Sequence, residues 1–311
     1  MKMKKALVVL VMMVTLLTLC GCSGSNGSTT PESSESEVRT LADDTTMGRM
    51  VVTVPENYVE LERYIEEDGN GKIIEKNLNY SFTEDSGISY ACMPDQDLVE
   101  MLGSNLDKLE KIESNGNTIY TYISGSDCLA LVQVGEDIYG LEYLLTEDQD
   151  AEVFNKAVSE MSFKDEKTEL LKNDMDLYDI SYELDPALNV YCMTSSYVED
   201  PSGKPLEKTI IWKFGESDDN MDFRFMIRVY KDSTIDEVKD PDKTYEEQTV
   251  NGITYTALTN DDGAPYEYYT QHGNDVYEIR NNGSYSGWFT DRSEDSEKAF
   301  EAFLNTISFN Q

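Results

Sequence analysis

Gly71-Lys72-Ile73-Ile74-Glu75-Lys76 and Gly203-Lys204-Pro205-Leu206-Glu207-Lys208 decide the fold, because they are nearly the same stretch met twice, 132 positions apart. The match continues in register. Ile74, Lys76, Leu78, Tyr80 and Phe82 stand against Leu206, Lys208, Ile210, Trp212 and Phe214. Alternation of this kind belongs to a strand with one face buried. Upstream, Tyr64-Ile65-Glu66 matches Tyr197-Val198-Glu199, and the intervening Asp68-Gly69-Asn70-Gly71 and Asp200-Pro201-Ser202-Gly203 are hairpin turns by composition. Downstream, Tyr120-Thr121 pairs with Tyr255-Thr256, and Asp137-Ile138-Tyr139 with Asp275-Val276-Tyr277. Glu160-Met161-Ser162-Phe163 pairs with Thr306-Ile307-Ser308-Phe309. The offset drifts from 132 to 146, as loop insertions produce, while the order of landmarks holds. An internal duplication is the expectation.

Each copy then reads alike. A strand hairpin (about 50–82 and 180–214) is followed by a further strand, Ile88 to Met93 and Phe223 to Tyr230. In the first copy Asp95 or Asp97 can cap a helix with Leu98, Leu102, Leu106 and Leu109 on one face. The second copy keeps a shorter version at Ile235-Asp236-Glu237-Val238, closed off by Pro241. Two or three strands follow, such as Thr118 to Ile123, Leu129 to Val134 and Ile138 to Leu145. A terminal helix closes each copy. The first has capping-box spacing at Thr146-Glu147-Asp148-Gln149, and the second turns Ala299, Phe300, Phe303, Leu304 and Ile307 inward. The expected class is α+β: two related modules, 47–163 and 174–311, each a twisted, mainly antiparallel sheet covered by helices, with 164–173 as linker or helix extension. This order of hairpin, middle helix, central strands and a closing helix ending in Ser-Phe resembles the PsbP-like fold. That family includes extrinsic photosystem subunits, small nuclear-import factors and many bacterial lipoproteins. The resemblance implies a binding or assembly module and carries over no functional residue.

The amino terminus reads as an address. Lys2, Lys4 and Lys5 make a positive start, and Ala6 to Leu19 is an uncharged run of fourteen residues. That is a signal-peptide length, short of the roughly 20 apolar residues a membrane span needs. Leu19-Cys20-Gly21-Cys22 resembles the lipobox of bacterial lipoproteins, with cleavage between Gly21 and Cys22 and diacylglycerol on the Cys22 thiol. Cys22 fits better than Cys20, because Gly21 is the small residue the position before the cysteine requires, whereas Cys20 is preceded by Leu19. Two acyl chains anchor stably where one does not. Residues 1–21 are thus the signal peptide, and 22–46 the lipidated cysteine with a Ser/Gly/Glu-rich tether of roughly 25–30 Å r.m.s. span. The expected place is the outer face of a bacterial cytoplasmic membrane, with the bilayer as one partner through Cys22.

Composition narrows the chemistry. Losing the three lysines takes the formal net charge from −36 to about −39, which repels nucleic acid. The 32 Tyr, Phe and Trp residues argue for packed cores. His272, the only histidine, sits in a turn-like segment without partners for a triad or a zinc site. Cys92, Cys128 and Cys192 remain after Cys22. Cys92 and Cys128 are close enough in pattern to pair, and buried thiols are the alternative. Asp218, Asn220 and Asp222 begin an EF-hand spacing that fails at Phe223 and Val229, so no metal residue is named and only weak calcium binding is allowed for. No catalytic residue and no cofactor beyond the lipid is named. Tyr266, Tyr268, Tyr269 and Trp288 are the candidate ligand-facing aromatics, with half-buried strand residues as the plain alternative.

A non-catalytic lipoprotein that binds a protein or a cell-envelope ligand is the first functional reading. A carboxylate-based hydrolase of glycans is the second, and a cation-dependent stability module the third. Intact-mass analysis of the native protein should find a chain beginning at a diacylated Cys22. An unmodified chain beginning at Met1 in the cytosol would overturn the address.

Overall fold

The computed structural model describes residues 45–310, apart from 84, 146–150, 175, 218–220, 260–264 and 282–292. The signal segment, Cys22, the tether to residue 44, the expected capping box at 146–149, Asp218, Asn220 and Trp288 lie outside the described residues. The chain divides into two compact units. The first takes in residues up to Ile65, Ile73–Lys172 and Glu199–Lys204; the second takes in Glu66–Lys72, Asn173–Val198 and Pro205–Gln311. These bounds depart from 47–163 and 174–311 mainly at the two hairpin tips, 66–72 and 199–204, and in the expected linker. Lys164–Lys172 carries neither helix nor strand and is tied to the first unit: Lys164 N–H donates to Arg49 O (2.7 Å) and Thr168 N–H to Gly48 O (3.0 Å).

The first unit orders its strands β1-β2-β3-β7-β6-β5-β4: β1 Glu60–Asp68, β2 Ile73–Thr83, β3 Ser86–Met93, β4 Glu110–Ser114, β5 Asn117–Ser124, β6 Asp127–Val134 and β7 Asp137–Leu144. The second repeats that order as β9-β10-β11-β15-β14-β13-β12: β9 Val190–Glu199, β10 Pro205–Gly215, β11 Met221–Tyr230, β12 Tyr245–Val250, β13 Ile253–Thr259, β14 Pro265–His272 and β15 Asp275–Asn281. A two-stranded ribbon, β8 (Ile180–Ser181) with β16 (Ser308–Phe309), completes the second unit.

The expected α+β class with helices covering the sheet is corrected: the chain is mostly antiparallel β. The helices are short: α1 Leu98–Leu102, α2 Glu152–Glu160, α3 Ile235–Val238 and α4 Glu294–Leu304. Asp97 does cap α1, accepting from Glu100 N–H. Gly103, at φ 54°, then ends α1 after five residues, and a 3-10 stretch, Gly103–Lys108, follows. The residues beyond go to edge strands, β4 and β12, that the apolar spacing did not announce.

Side-chain alternation divides each sheet into two faces. In the first unit Leu78, Tyr80, Tyr90, Cys92, Val132, Tyr139 and Leu141 pack with Phe154 and Val158 of α2. In the second, Ile210, Trp212, Phe214, Phe225, Ile227, Tyr277 and Ile279 pack with Phe300 and Phe303 of α4. Each such fully buried side chain contributes roughly 1.5–3 kcal/mol. Cys92, Cys128 and Cys192 are free thiols, all buried, and burial pushes the Cys92 thiol up to about 12.

The same small devices recur in both units. Asp68 Oδ1 accepts from Asn70 and Lys72 N–H, and Asp200 Oδ1 from Ser202 and Lys204 N–H, closing the first hairpins. Buried Asp137 accepts from Asp95 N–H and pairs with Lys167; Asp275 accepts from Asp232 N–H and pairs with Lys231. Asn115 and Asn251 hold positive φ in tight turns, and their amides donate to carbonyls just past α2 and α4, Met161 O and Ile307 O.

A Cβ on Gly140 would lie 3.2 Å from the Ala91 Cβ and 3.4 Å from a Leu131 methyl. Gly140→Val should therefore cost the first unit about 2 kcal/mol, lowering its denaturation midpoint with the slope unchanged. A midpoint equal to wild type would show that the face opens freely there.

Candidate functional site

The faces turned away from α2 and α4 differ in the two units. On the first, Ala91, Met93, Leu129, Leu131 and Ile138 form an apolar layer with Leu98 and Leu102 of α1, and Met101, Leu106 and Tyr120 pack against it. The matching positions of the second unit follow from register. Ala91 faces Gly140, and Arg228 faces Glu278; Gly140 faces Leu131, and Glu278 faces Tyr269; Glu142 faces Leu129, and Arg280 faces Glu267. So Arg228, Glu278, Tyr269 and Glu267 stand where Ala91, Gly140, Leu131 and Leu129 are. The helix of this place shrinks to the four residues of α3, none of them buried.

The result is a ladder of charges and phenols across β10, β11, β15 and β14. Arg228 Nε lies 3.2 Å from Glu207 Oε1, and its Nη1 is 4.0 Å from Glu278 Oε2. Arg280 Nη2 bridges Glu278 Oε1 (2.6 Å) and Glu267 Oε2. Tyr230 donates to Glu278 Oε2 at 2.9 Å, Tyr269 to Glu267 Oε1 at 2.7 Å, and Arg228 to Thr209 Oγ1 at 3.1 Å. Tyr245 of β12 meets Tyr269 edge-on, ring centroids 6.0 Å apart. The ladder is layered. The Glu278 and Glu267 side chains are 1% and 4% exposed, whereas those of Arg228 and Arg280 are 27% and 32% exposed. The Glu278 and Glu267 carboxylates lie beneath, and the guanidiniums, with Glu207, above. Glu278 keeps Arg280 and Tyr230 when Arg228 is removed, so loss of that partly exposed guanidinium leaves no buried charge without a partner.

Electrostatics keeps the guanidiniums and phenols of the ladder in fixed protonation states. Burial opposes charging Arg228, but Glu207, Tyr230 and Glu278 outweigh it and hold the guanidinium above its ordinary value. Arg280 is raised likewise, with Glu278 and Glu267 outweighing its burial. Burial first, and Glu278 second, pushes the Tyr230 and Tyr269 phenols up; burial and Glu267 push Tyr245 up to about 12. The face therefore presents guanidinium donors and protonated phenols, which suit recognition through hydrogen bonds and rigid aromatic contact.

Of the aromatics named from sequence that are among the described residues, the structure brings Tyr269 alone into this ladder; Trp288 lies outside them. Tyr268 points to the other face, packed on Tyr255 and Phe300. Tyr266 is half-buried and shares the parity of Tyr268. His272 stacks on Phe309, 4.8 Å between centroids. Sequence reasoning missed Arg228, Arg280, Glu207, Glu267, Glu278, Tyr230 and Tyr245. The signal was present in Phe223-Arg224-Phe225-Met226-Ile227-Arg228-Val229-Tyr230, whose arginines fall on the face opposite the phenylalanines. Among the described residues no group of three His, Cys, Asp or Glu is placed to hold a metal ion, and no helix is long and apolar enough to cross a membrane.

No family model matches the chain, and no curated protein matches it. Among solved structures, the chain is similar to a crystal structure of MucB in complex with MucA(peri), with a TM-score of 0.16 and 9% identity over 82% of this chain and 94% of that one. It is also similar to a crystal structure of MucB, with a TM-score of 0.18 and 9% identity over 88% and 98%. Likeness at this level assigns this chain no partner and no activity.

In the first unit the place of Arg280 is taken by Glu142. Burial first, then Asp127 and Glu75, pushes its carboxyl up to about 7. A carboxyl raised in the folded state holds its proton there and releases it on unfolding. Its contribution to stability is complete below about pH 4.5 and is lost as pH rises to about 7, about 3 kcal/mol in all. Glu142→Gln should flatten this slope and stabilise the protein at pH 8. An unchanged slope would place the titration elsewhere.

Proposed function

We propose that the protein is a membrane-anchored, extracytoplasmic lipoprotein that binds a protein or cell-envelope ligand on the Arg/Glu/Tyr ladder of its second unit. Lys2, Lys4 and Lys5, the fourteen-residue apolar run and Leu19-Cys20-Gly21-Cys22 support the anchor, with diacylglycerol on Cys22. The ladder carries the binding reading. At matching sheet positions one unit fills its face with apolar side chains under α1, and the other keeps arginine and tyrosine there beside a four-residue helix. A face built only for stability gains nothing from that exchange, since buried ion pairs are no better than well-packed apolar groups. Arginine and tyrosine are the residues that dominate binding energy at interfaces.

The test is a photo-crosslinking amino acid at Glu247, exposed and two residues from Tyr245 on the same face of β12, in the full chain in its own cells. An adduct should form, and its mass separates a protein from a glycan. Arg228→Ala and Tyr230→Ala should each deplete it about tenfold while the thermal melt still shows a folded chain. Absence of an adduct, or an adduct indifferent to both changes, would remove the ladder as the binding face.

A further inference from the structure

The outer strand of the first unit, β4, reads Glu110-Lys111-Ile112-Glu113-Ser114 and pairs on one side with β5. Among the described residues no strand pairs with its other side. Which backbone groups face outward follows from the turn. Asn115 and Gly116, at φ 52° and 79°, make the two-residue turn whose positive φ values hairpins favour. Such a turn directs the Ser114 carbonyl to the N–H of Asn117. Outward and inward groups then alternate along the strand. Ser114, Ile112 and Glu110 face β5, and the N–H and C=O of Glu113 and Lys111 face away from it.

We propose that a second copy of this chain pairs along β4, antiparallel, about a two-fold axis at Ile112. In that register Lys111 lies opposite Glu113 of the other copy and Glu113 opposite its Lys111. These are the residues with outward backbone groups, so each couple exchanges both hydrogen bonds, as an antiparallel hydrogen-bonded pair requires. The Ile112 residues meet on the axis as a non-hydrogen-bonded pair, the closer of the two kinds. Opposite charges directly across a ladder stabilise it, and like charges weaken it. The side chains are already held on one face: Lys111 lies 5.3 Å over the Tyr120 ring, and Glu113 accepts from Thr118 Oγ1 at 2.7 Å. Tyr122 and Ile123 continue β5 past the end of β4, and are 42% and 44% exposed at the same edge.

A lysine on an edge strand ordinarily discourages pairing. Here each lysine finds a glutamate in one register only, so the edge rejects unlike strands and admits its own copy. The edge of the second unit lacks this property. In β12, Tyr245, Glu247 and Thr249 are the outward residues by the same turn at Asn251-Gly252, and self-pairing about Gln248 sets Glu247 against Thr249. A five-residue pairing is a small interface, so the association is weak in dilute solution and gains from confinement to a membrane.

The experiment needs neither the anchor nor the ligand. Ile112→Cys in the full chain should give, under mild oxidation, a disulfide joining position 112 of one copy to position 112 of the other. Peptide mass identifies it, and it forms because non-hydrogen-bonded neighbours sit within disulfide reach. Gln248→Cys on β12 should form about tenfold less. Independently of any cysteine, sedimentation velocity on the purified full chain in mild detergent at about 0.5 mM should show dimer. Lys111→Glu and Glu113→Lys should each weaken it about tenfold, and the double exchange should restore it. A monomer at that concentration, a double exchange as weak as either single change, or stronger linkage at position 248 would each overturn the proposal.

Discussion

Alternation along antiparallel strands constrains everything described. Once Ile210 pairs with Ile227 and Ile227 with Ile279, the faces of three neighbouring strands are settled together. Phe225, Ile227 and Val229 go to the side of α4, and Arg224, Met226 and Arg228 to the other. A slip of one residue would send the arginines into the aromatic cluster of Phe214, Phe225 and Phe303, where a bare guanidinium has no partner. The hydrophobic side thus enforces the register, and the register places the charges. The ladder of Glu267, Arg280, Glu278 and Arg228 is aligned by the opposite face of its own strands.

That alignment allows carboxylates to be buried in a chain of this acidity. Glu278 is fully buried, next to two guanidiniums and a phenol hydroxyl. In the first unit the equivalent position is Gly140, which leaves room for Ala91 and Leu131 to meet beneath α1. The apolar choice is the more economical one for stability, and Glu142, one step along β7, shows what a carboxyl endures there with no arginine beside it. The second unit meets the same problem with opposite charges at hydrogen-bonding distance, and so keeps a polar surface on a rigid sheet rather than on a loop.

The sequence made the strands legible and the helices misleading. The six-residue repeat and its alternation located β2, β10, β3, β11 and the turns between them, because a half-buried strand writes its faces into every second residue. The Asp97 cap was legible for the same local reason. The length of α1 was not: Leu98, Leu102, Leu106 and Leu109 have helical spacing, yet Gly103 turns the backbone to φ 54° and the last two leucines reach the same apolar layer from a 3-10 stretch and a strand entry. Apolar spacing records which side chains are buried and not which backbone carries them. The ladder was hidden differently. Its members are scattered from Glu207 to Arg280 and become neighbours only through pairing that no local pattern states, whereas Tyr266, Tyr268 and Tyr269 are adjacent in sequence and, by alternation, divided between two faces.

What the two units share and what they do not follow one physical rule. The shared features are the Asp68 and Asp200 turns, the buried Asp137 and Asp275 beside lysine, and the Asn115 and Asn251 amides that hold the chain beyond α2 and α4. Each satisfies backbone groups or a buried charge, and substituting any of them leaves a donor or acceptor without a partner. The features that differ are side chains on one sheet face and the residues of the outer strand, where replacement changes the chemistry offered to the surroundings and leaves the pairing intact. A sheet repeated twice on the same turns can therefore alter one face and one edge while its strand order is preserved. Recognition by this chain is to be sought where its two halves disagree.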